Sequence, residues 1–338
     1  MISHYFRYPD GMWPNIAALS TTLAGYPAGI ALLVQQNWLL KLPGCVLLCL
    51  SLIWSAYYIH EFAHHAIFKT AGANRRWGTL MTWMNGSCYA SFDALRKKHM
   101  RHHVERADVI TFDVPAFLRA RPAWFRKLVL ALEWMYFPAV EFIMRGVVIA
   151  LPFMSRQGSR ARLRIVAILT VRTGAFVALG WYSPSALALY LVAYLVFVTV
   201  LRFADCFQHT YDAYPVIDDA PIPQDKLRDK VYEQENTYTN VAGLDSPLLN
   251  MLWLNFGYHN AHHHKPAMPW HRLPALHREC YDDRFAQVIP VRALLRSFHI
   301  NRVRRVLSTD YGRVLAPDAE GRADAFVGAV GVSFLTAA

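Results

Sequence analysis

Four stretches of the chain stay apolar for long enough to cross a bilayer, whose hydrocarbon core of ~30 Å takes about 20 mainly apolar residues in helix. They cover residues 16–34, 42–59, 164–181 and 185–201. The segment "QQNWLLK" joins the first two and "YSPS" joins the last two. Links this short make antiparallel neighbours, so the pattern predicts two helical hairpins. Pro184 suits a helix start, where its missing N–H has no partner to lose. Gly25 and Gly29 lie four apart in the first stretch and form a small-residue face for close helix contact.

The polar remainder falls into two blocks, 60–163 and 202–317. Within the first, residues 128–153 are apolar but carry Glu133, Glu141 and Arg145. This reads as a helix lying in the membrane interface, bent at Pro138, with Glu141 and Arg145 paired on its surface. Residues 318–338 are apolar but short and have no assigned role. Arg172 falls near the middle of the third span, where a charge facing lipid is costly, so it is expected to turn toward the bundle.

Hydrophobic residues make up 54% of the chain, which agrees with a membrane protein. The net charge of +11 does not imply nucleic acid, because of where it lies. Twelve Lys and Arg fall between His60 and Lys127, whereas the two links carry Lys41 alone. The positive-inside rule then puts both termini and the long polar blocks in the cytoplasm. A basic face beside a membrane fits anionic headgroups or an acidic electron donor. No secretory signal is expected, since the first apolar run is long and lacks a small-residue cleavage site. Cys45, Cys49, Cys88, Cys206 and Cys280 form no C-x-x-C pair, and their odd number argues against a disulfide framework.

The histidines carry the chemistry. His60 and His64 lie four apart in "HEFAHH". His99, His102 and His103 in "HMRHH" follow an i, i+3, i+4 spacing, and His259, His262 and His263 in "HNAHH" repeat it. On a helix such positions fall within roughly 100° of arc and can aim at one point. His209, in "QHT" just after the fourth span, is a ninth candidate. Nine imidazoles exceed the needs of one ion and suggest two metals with four or five nitrogens each. Imidazole alone does not choose between zinc, copper, iron and nickel.

In their order and their distances from paired spans, "HEFAHH", "HMRHH" and "HNAHH" resemble the three histidine boxes of the membrane fatty acid desaturases. "QHTYDAYP" and "HNAHHHKPAMPWHRLP" are similar to that family's segments after the fourth span and around the third box. The resemblance covers roughly residues 40 to 280. It implies an all-α integral membrane protein, with four transmembrane helices as two hairpins under a cytoplasmic helical cap that holds a di-metal site. The whole of 1–338 would be one such domain, and the metals would be two irons with O₂ as co-substrate. The ligands carried over are His60, His64, His99, His102, His103, His209, His259, His262 and His263. Glu61, His65, Glu105, Asp108, Asp113, Asp205 and His264 are close enough in sequence to support them, since each ligating imidazole needs an acceptor for its second nitrogen. Where some relatives carry Asn four residues before the lone His, this chain has Asp205.

The expected reaction is O₂-dependent desaturation of a fatty acyl chain by hydrogen abstraction. Hydroxylation, or decarboxylation to a terminal alkene, at the same di-iron site is the alternative. No H-P-G-G haem motif or G-x-G-x-x-G fingerprint is present, so electrons are expected from a separate ferredoxin, cytochrome b5 or reductase. Arg96, Lys97 and Lys98 are candidates for its docking face. Trp54, Tyr57, Tyr58, Trp83, Trp134, Tyr136, Phe137 and Trp253 could line an acyl tunnel, though most of them are expected simply to anchor in the interface. A membrane zinc protease would use His60 and His64 with Glu61 as base, and would leave the other boxes without a role. A metal transporter would need His or Asp in a span, and none of the four carries either.

Overall fold

A computed structural model describes residues 2–154, 158–215, 221–282, 285–315, 317, 318 and 320–337. Residues 155–157, 216–220, 283, 284, 316, 319 and 338, which the expected cap and tail contain, lie outside the described residues. The apolar runs become α1 (Met12–Leu33), α2 (Trp38–Ala63), α8 (Ser159–Tyr182) and α9 (Pro184–Asp205). Between α2 and α8 come α3 (Ala71–Asn85), α4 (Phe92–Glu105), α5 (Val114–Arg119), α6 (Ala123–Trp134) and α7 (Ala139–Met154). After α9 follow α10 (Lys230–Glu235), α11 (Pro247–Asn250), α12 (His259–His264), α13 (Leu273–Cys280), α14 (Val291–Ile300) and α15 (Arg304–Leu307). Strands β1 (Asp108–Ile110) and β2 (Ala213–Pro215) form a short parallel ladder joining the two polar blocks.

Four helices, Pro9–Leu33, Trp38–Ala63, Ser159–Tyr182 and Pro184–Asp205, are long and apolar enough to cross a membrane. Each starts before the hydrophobic limit drawn from the sequence, and all but the first also end beyond it, since a helix end is not set by hydropathy alone. Asn37 caps α2 by accepting from Leu39 N–H, and Ser183 caps α9 with Pro184 in the first turn. At the other end α2 continues through His60 to Ala63.

Helices α1 and α2 pack antiparallel along a glycine seam. A Cβ on Gly25 would lie 2.5 Å from Ser51 Oγ, and one on Gly44 would lie 2.9 Å from Leu32 Cβ. Such contacts require backbones too close for a side chain. Tyr26 and Tyr190 share a hydroxyl hydrogen bond of 2.9 Å between α1 and α9. Lys41 Nζ donates to Ser185 Oγ at 2.6 Å, so both short links lie at one end of the bundle. The histidines gather at the opposite end.

Arg172 does turn inward. Its guanidinium donates to the Trp83 carbonyl at 2.7 Å, at the C-terminal turn of α3, where helix carbonyls attract a cation. The expected bent helix over 128–153 is instead two helices, α6 and α7, broken at Met135–Pro138 with Tyr136 at φ +64°. Proline removes a helical hydrogen bond and disfavours helix before it, so the chain stops rather than bends. The expected Glu141–Arg145 surface pair is also corrected. Glu141 is buried, and Arg145 donates to the Tyr194 hydroxyl. Trp124, Leu128 and Trp134 of α6 face outward, as suits a helix at an interface.

The segment without an assigned role is built into the molecule. Arg305 Nε donates to Val327 O at 2.6 Å, and Ala329 N–H donates to Cys206 O at 2.7 Å. Leu335 and Ala337 are buried in the main hydrophobic core, beside residues of α2 and α9.

Candidate metal centre

Each histidine segment reaches the centre from a different element. His60 occupies the last turn of α2 and His64 caps it, so the end of a membrane-length helix fixes both. Helix α4 carries His99, His102 and His103, and its N-cap Ser91 accepts from Ala94 N–H at 3.1 Å. His209 follows α9 and is held by an isolated bridge to Thr237. Helix α12 is one and a half turns long, yet presents His259, His262 and His263 wholly buried.

Two groups result. His60, His64, His99, His103 and His262 bring five ligand nitrogens together, and His102, His209, His259 and His263 bring four. Within each group the nitrogens all lie within 4.8 Å of one another. The closest approaches run between Nε2 atoms: 2.7 Å for His64 and His99, 3.0 Å for His60 and His262, and 2.9 Å for His209 with both His259 and His263. His103 joins the groups, with its ring centroid 4.2 Å from that of His263.

Burial holds His64, His99, His103, His209, His259, His262 and His263 well below the usual histidine range, with neighbouring imidazoles adding to the effect. His102 is lowered to about 4, chiefly by burial. The rings are therefore neutral at physiological pH and offer lone pairs. Each neutral imidazole has one N–H, so converging Nε2 atoms cannot satisfy one another where Nδ1 donates outward, as in His102 and His263. Nδ1 of His60, His103 and His262 has no hydrogen-bond partner among the described residues. A cation at the middle of each group resolves that conflict, and the nitrogen donor set fits a di-metal site.

Outward contacts fix the tautomers. His102 Nδ1 donates to Ala107 O at 2.9 Å and lies 3.4 Å from Asp108 Oδ1. His209 Nδ1 is 3.7 Å from the same carboxylate oxygen. Burial pushes Asp108 up to about 7, against the pull of the Tyr311 hydroxyl donating to it at 3.1 Å. On the other side, His263 Nδ1 lies 3.3 Å from Glu233 Oε1, and Arg106 and Lys230 hold Oε2 of that carboxylate. Glu233 was not among the sequence candidates, for "KVYEQENTYTN" has no spacing that separates it from a solvated helix.

The remaining candidates divide. Glu61 Oε1 is 3.5 Å from His60 Nδ1, and its Oε2 accepts from Trp270 N–H at 3.0 Å. Asp205 is buried at the end of α9 and lines the metal chamber. Glu105 pairs with Arg101 at 3.0 Å, and Asp113 caps α5 through Ala116 N–H at 2.8 Å. His65, at φ +53°, gives its carbonyl to Arg7, and His264 is exposed at the end of α12. Lys98 is buried rather than on a docking face, while Lys97 is exposed.

The chamber beside the histidines is about 50 Å³, lined by Lys98, Asp205, Gln208, Phe256, Val332 and Phe334 among others. A second, nearly all-apolar cavity of about 290 Å³ lies between α9 and α14, and Gln208 and Phe256 line both. No curated protein sequence matches the chain at a significant level. The family model described as fatty acid desaturase matches residues 36–293, most of the chain and every one of the nine histidines. With four membrane-length helices and a histidine-built di-metal site beside an apolar cavity, the chain belongs to the fatty acid desaturase family.

Proposed function

We propose that this protein is a di-iron enzyme that uses O₂ to desaturate a fatty acyl chain. The observation that carries the reading is the pair of imidazole groups, five and four nitrogens, next to a cavity lined almost wholly by apolar side chains. His60, His64, His99, His103 and His262 would hold one iron, and His102, His209, His259 and His263 the other. Two irons, when bound, supply reductive activation of O₂ and abstraction of hydrogen from a methylene. In balance, O₂ takes two hydrogens from adjacent carbons plus two electrons and two protons, giving a double bond and two waters.

The chain's own residues do the positioning. The Ala107 carbonyl holds the Nδ1–H of His102 and Glu233 that of His263, with Asp108 beside the Nδ1 atoms of His102 and His209, which keeps Nε2 free to donate its lone pair. Val200, Phe203, Trp253, Leu295 and Phe298 offer the acyl chain a water-free bed. Phe256 and Gln208 line both that bed and the chamber beside the histidines, and are where the two would join. Most of the other membrane-proximal aromatics act as anchors: Trp83, Trp134 and Tyr136 are exposed. We read 1–338 as one membrane unit with termini and metal site on the cytoplasmic face. Electrons come from a separate donor that docks on exposed basic residues such as Lys97.

Expression in a host, with mass spectrometry of lipids and volatiles, tests the reading against a His262→Ala control and a metal assay. An O₂-dependent new double bond in the wild type alone is expected, with two irons per chain. A hydroxylated or shortened product would keep the site and change the reaction. One zinc per chain and no O₂-dependent product would overturn the reading in favour of H-E-x-x-H hydrolysis.

A further inference from the structure

The segment after Gly331 runs directly over the metal chamber. Gly331, at φ +80°, makes the turn that a side chain would strain, and a Cβ there would lie 3.0 Å from Val114. Beyond it, Lys98 Nζ donates to the carbonyls of Ser333 at 2.8 Å and Thr336 at 2.7 Å. Lys98 immediately precedes His99 on α4, so one helix carries both the latch and a histidine of the site. Thr336 Oγ1 also meets Thr111 Oγ1 at 3.3 Å. Leu335 and Ala337 anchor in the main core on either side of this contact.

The latch holds Phe334 against the centre. Its ring centroid is 6.1 Å from that of His60, 6.4 Å from His99 and 6.3 Å from Phe256. Val332 and Phe334 line the chamber on the side that the segment covers, and Phe256 lines both the chamber and the apolar cavity. An acyl chain passing Phe256 from that cavity therefore meets Phe334 next.

We propose that residues 332–337 are a strap that closes the metal chamber, latched by Lys98, and that Phe334 is the wall against which the leading end of the acyl chain stops. The second clause rests on the acyl-oxidation reading, whereas the first does not. Phe334 is thus a specificity-determining residue, setting how far the chain slides past the histidines before reaction.

Two measurements on the full-length protein in detergent test this. The first loads Fe²⁺ and follows its extraction by a bipyridine chelator, which needs no turnover. Deleting 332–338 or substituting Lys98→Met is expected to speed iron release by about tenfold or more, since even one of the two charge-assisted hydrogen bonds on the closed state is worth that factor. Phe334→Ala, which opens the apolar wall, should speed it as well. Phe334→Leu, which keeps an apolar wall, should stay near the wild-type rate, and wild-type circular dichroism and melting of each variant separate opening of the strap from misfolding. The second measurement maps the oxidised carbon in products of wild type, Phe334→Ala and Phe334→Trp. The site of attack is expected to move farther from the leading end in Phe334→Ala and nearer to it in Phe334→Trp. Wild-type release rates in the truncated protein would overturn the strap, and one product position in all three enzymes would overturn Phe334 as the wall. A wild type that oxidises no acyl chain defeats the functional reading instead, and the chelator measurement still decides closure.

Discussion

His60 Nε2 lies 3.0 Å from His262 Nε2, although 202 positions separate them in the chain. Only the end of α2 meeting α12 makes that contact, so the five-nitrogen group depends on tertiary structure and not on one motif. Removing His262 leaves the other four-nitrogen group intact. His262→Ala is expected to lower bound iron from two to about one per chain and to abolish acyl oxidation. Elemental analysis of purified protein, with circular dichroism to verify unchanged helix content, checks it. Retention of two irons would contradict the grouping.

Asp108 serves two histidines of the second group, His102 at 3.4 Å and His209 at 3.7 Å. Losing such an outer partner typically weakens metal binding by about 10–100-fold. Asp108→Asn should show that loss in iron titrations while the five-nitrogen group binds as before. Tyr311→Phe, which removes the hydroxyl that meets both Asp108 and the Tyr211 carbonyl but leaves the carboxylate, should have the smaller effect of the two. Equal affinity in Asp108→Asn and wild type would mean that Ala107 O alone orients His102.

Acid sensitivity has a contributor away from the metals. His277 on α13 is buried, meets Tyr258 edge-on and Tyr281 at a tilt, and has neither ring nitrogen hydrogen-bonded among the described residues. Burial, followed by repulsion from Arg278, lowers it to about 4 from 6.5. Between those values the unfolded chain binds the proton and the folded chain does not. The contribution of His277 to stability is thus full above pH 6.5 and is lost as pH falls toward 4. His277→Leu should melt close to wild type at pH 7.5 and increasingly above it as the buffer is acidified. Parallel melting curves across that window would refute the assignment.

What sequence reading could reach was set by the range of the signal. Hydropathy marked four spans, and spacing within "HMRHH" and "HNAHH" marked helix faces, because both depend on near neighbours. Arg172 could be expected to turn inward, but the Trp83 carbonyl that receives it lies on another helix, which no local pattern names. Glu233 escaped for the same reason: its meaning comes from His263 and Arg106, at distances along the chain of 30 and 127 residues. Lys98 read as one more cation in a basic run, and only burial against residues 333 and 336 sets it apart from Lys97. The Glu141–Arg145 spacing misled because i, i+4 geometry allows a surface pair without requiring it, and here α7 turns Glu141 inward.

Glu133 has the most to lose among the buried charges outside the centre. One carboxylate oxygen receives the Arg202 guanidinium from α9, and the other accepts from Val140 N–H at 2.9 Å, satisfying a free donor at the start of α7. Both partners are buried, so removing either leaves an uncompensated charge in a medium that solvates it poorly. Glu133→Ala or Arg202→Met is therefore expected to destabilise the protein by about 3–5 kcal/mol. Replacing both, Glu133→Leu with Arg202→Met, should recover part of that loss, since the pair is removed whole, while the Val140 amide loses its acceptor and buried Glu141 loses the nearby Arg202 charge. Thermal unfolding in detergent of the two single variants and the double variant decides the matter. Additive losses in the double variant would show that the two side chains act independently, each through packing, and that the ion pair is not what joins α6 to α9.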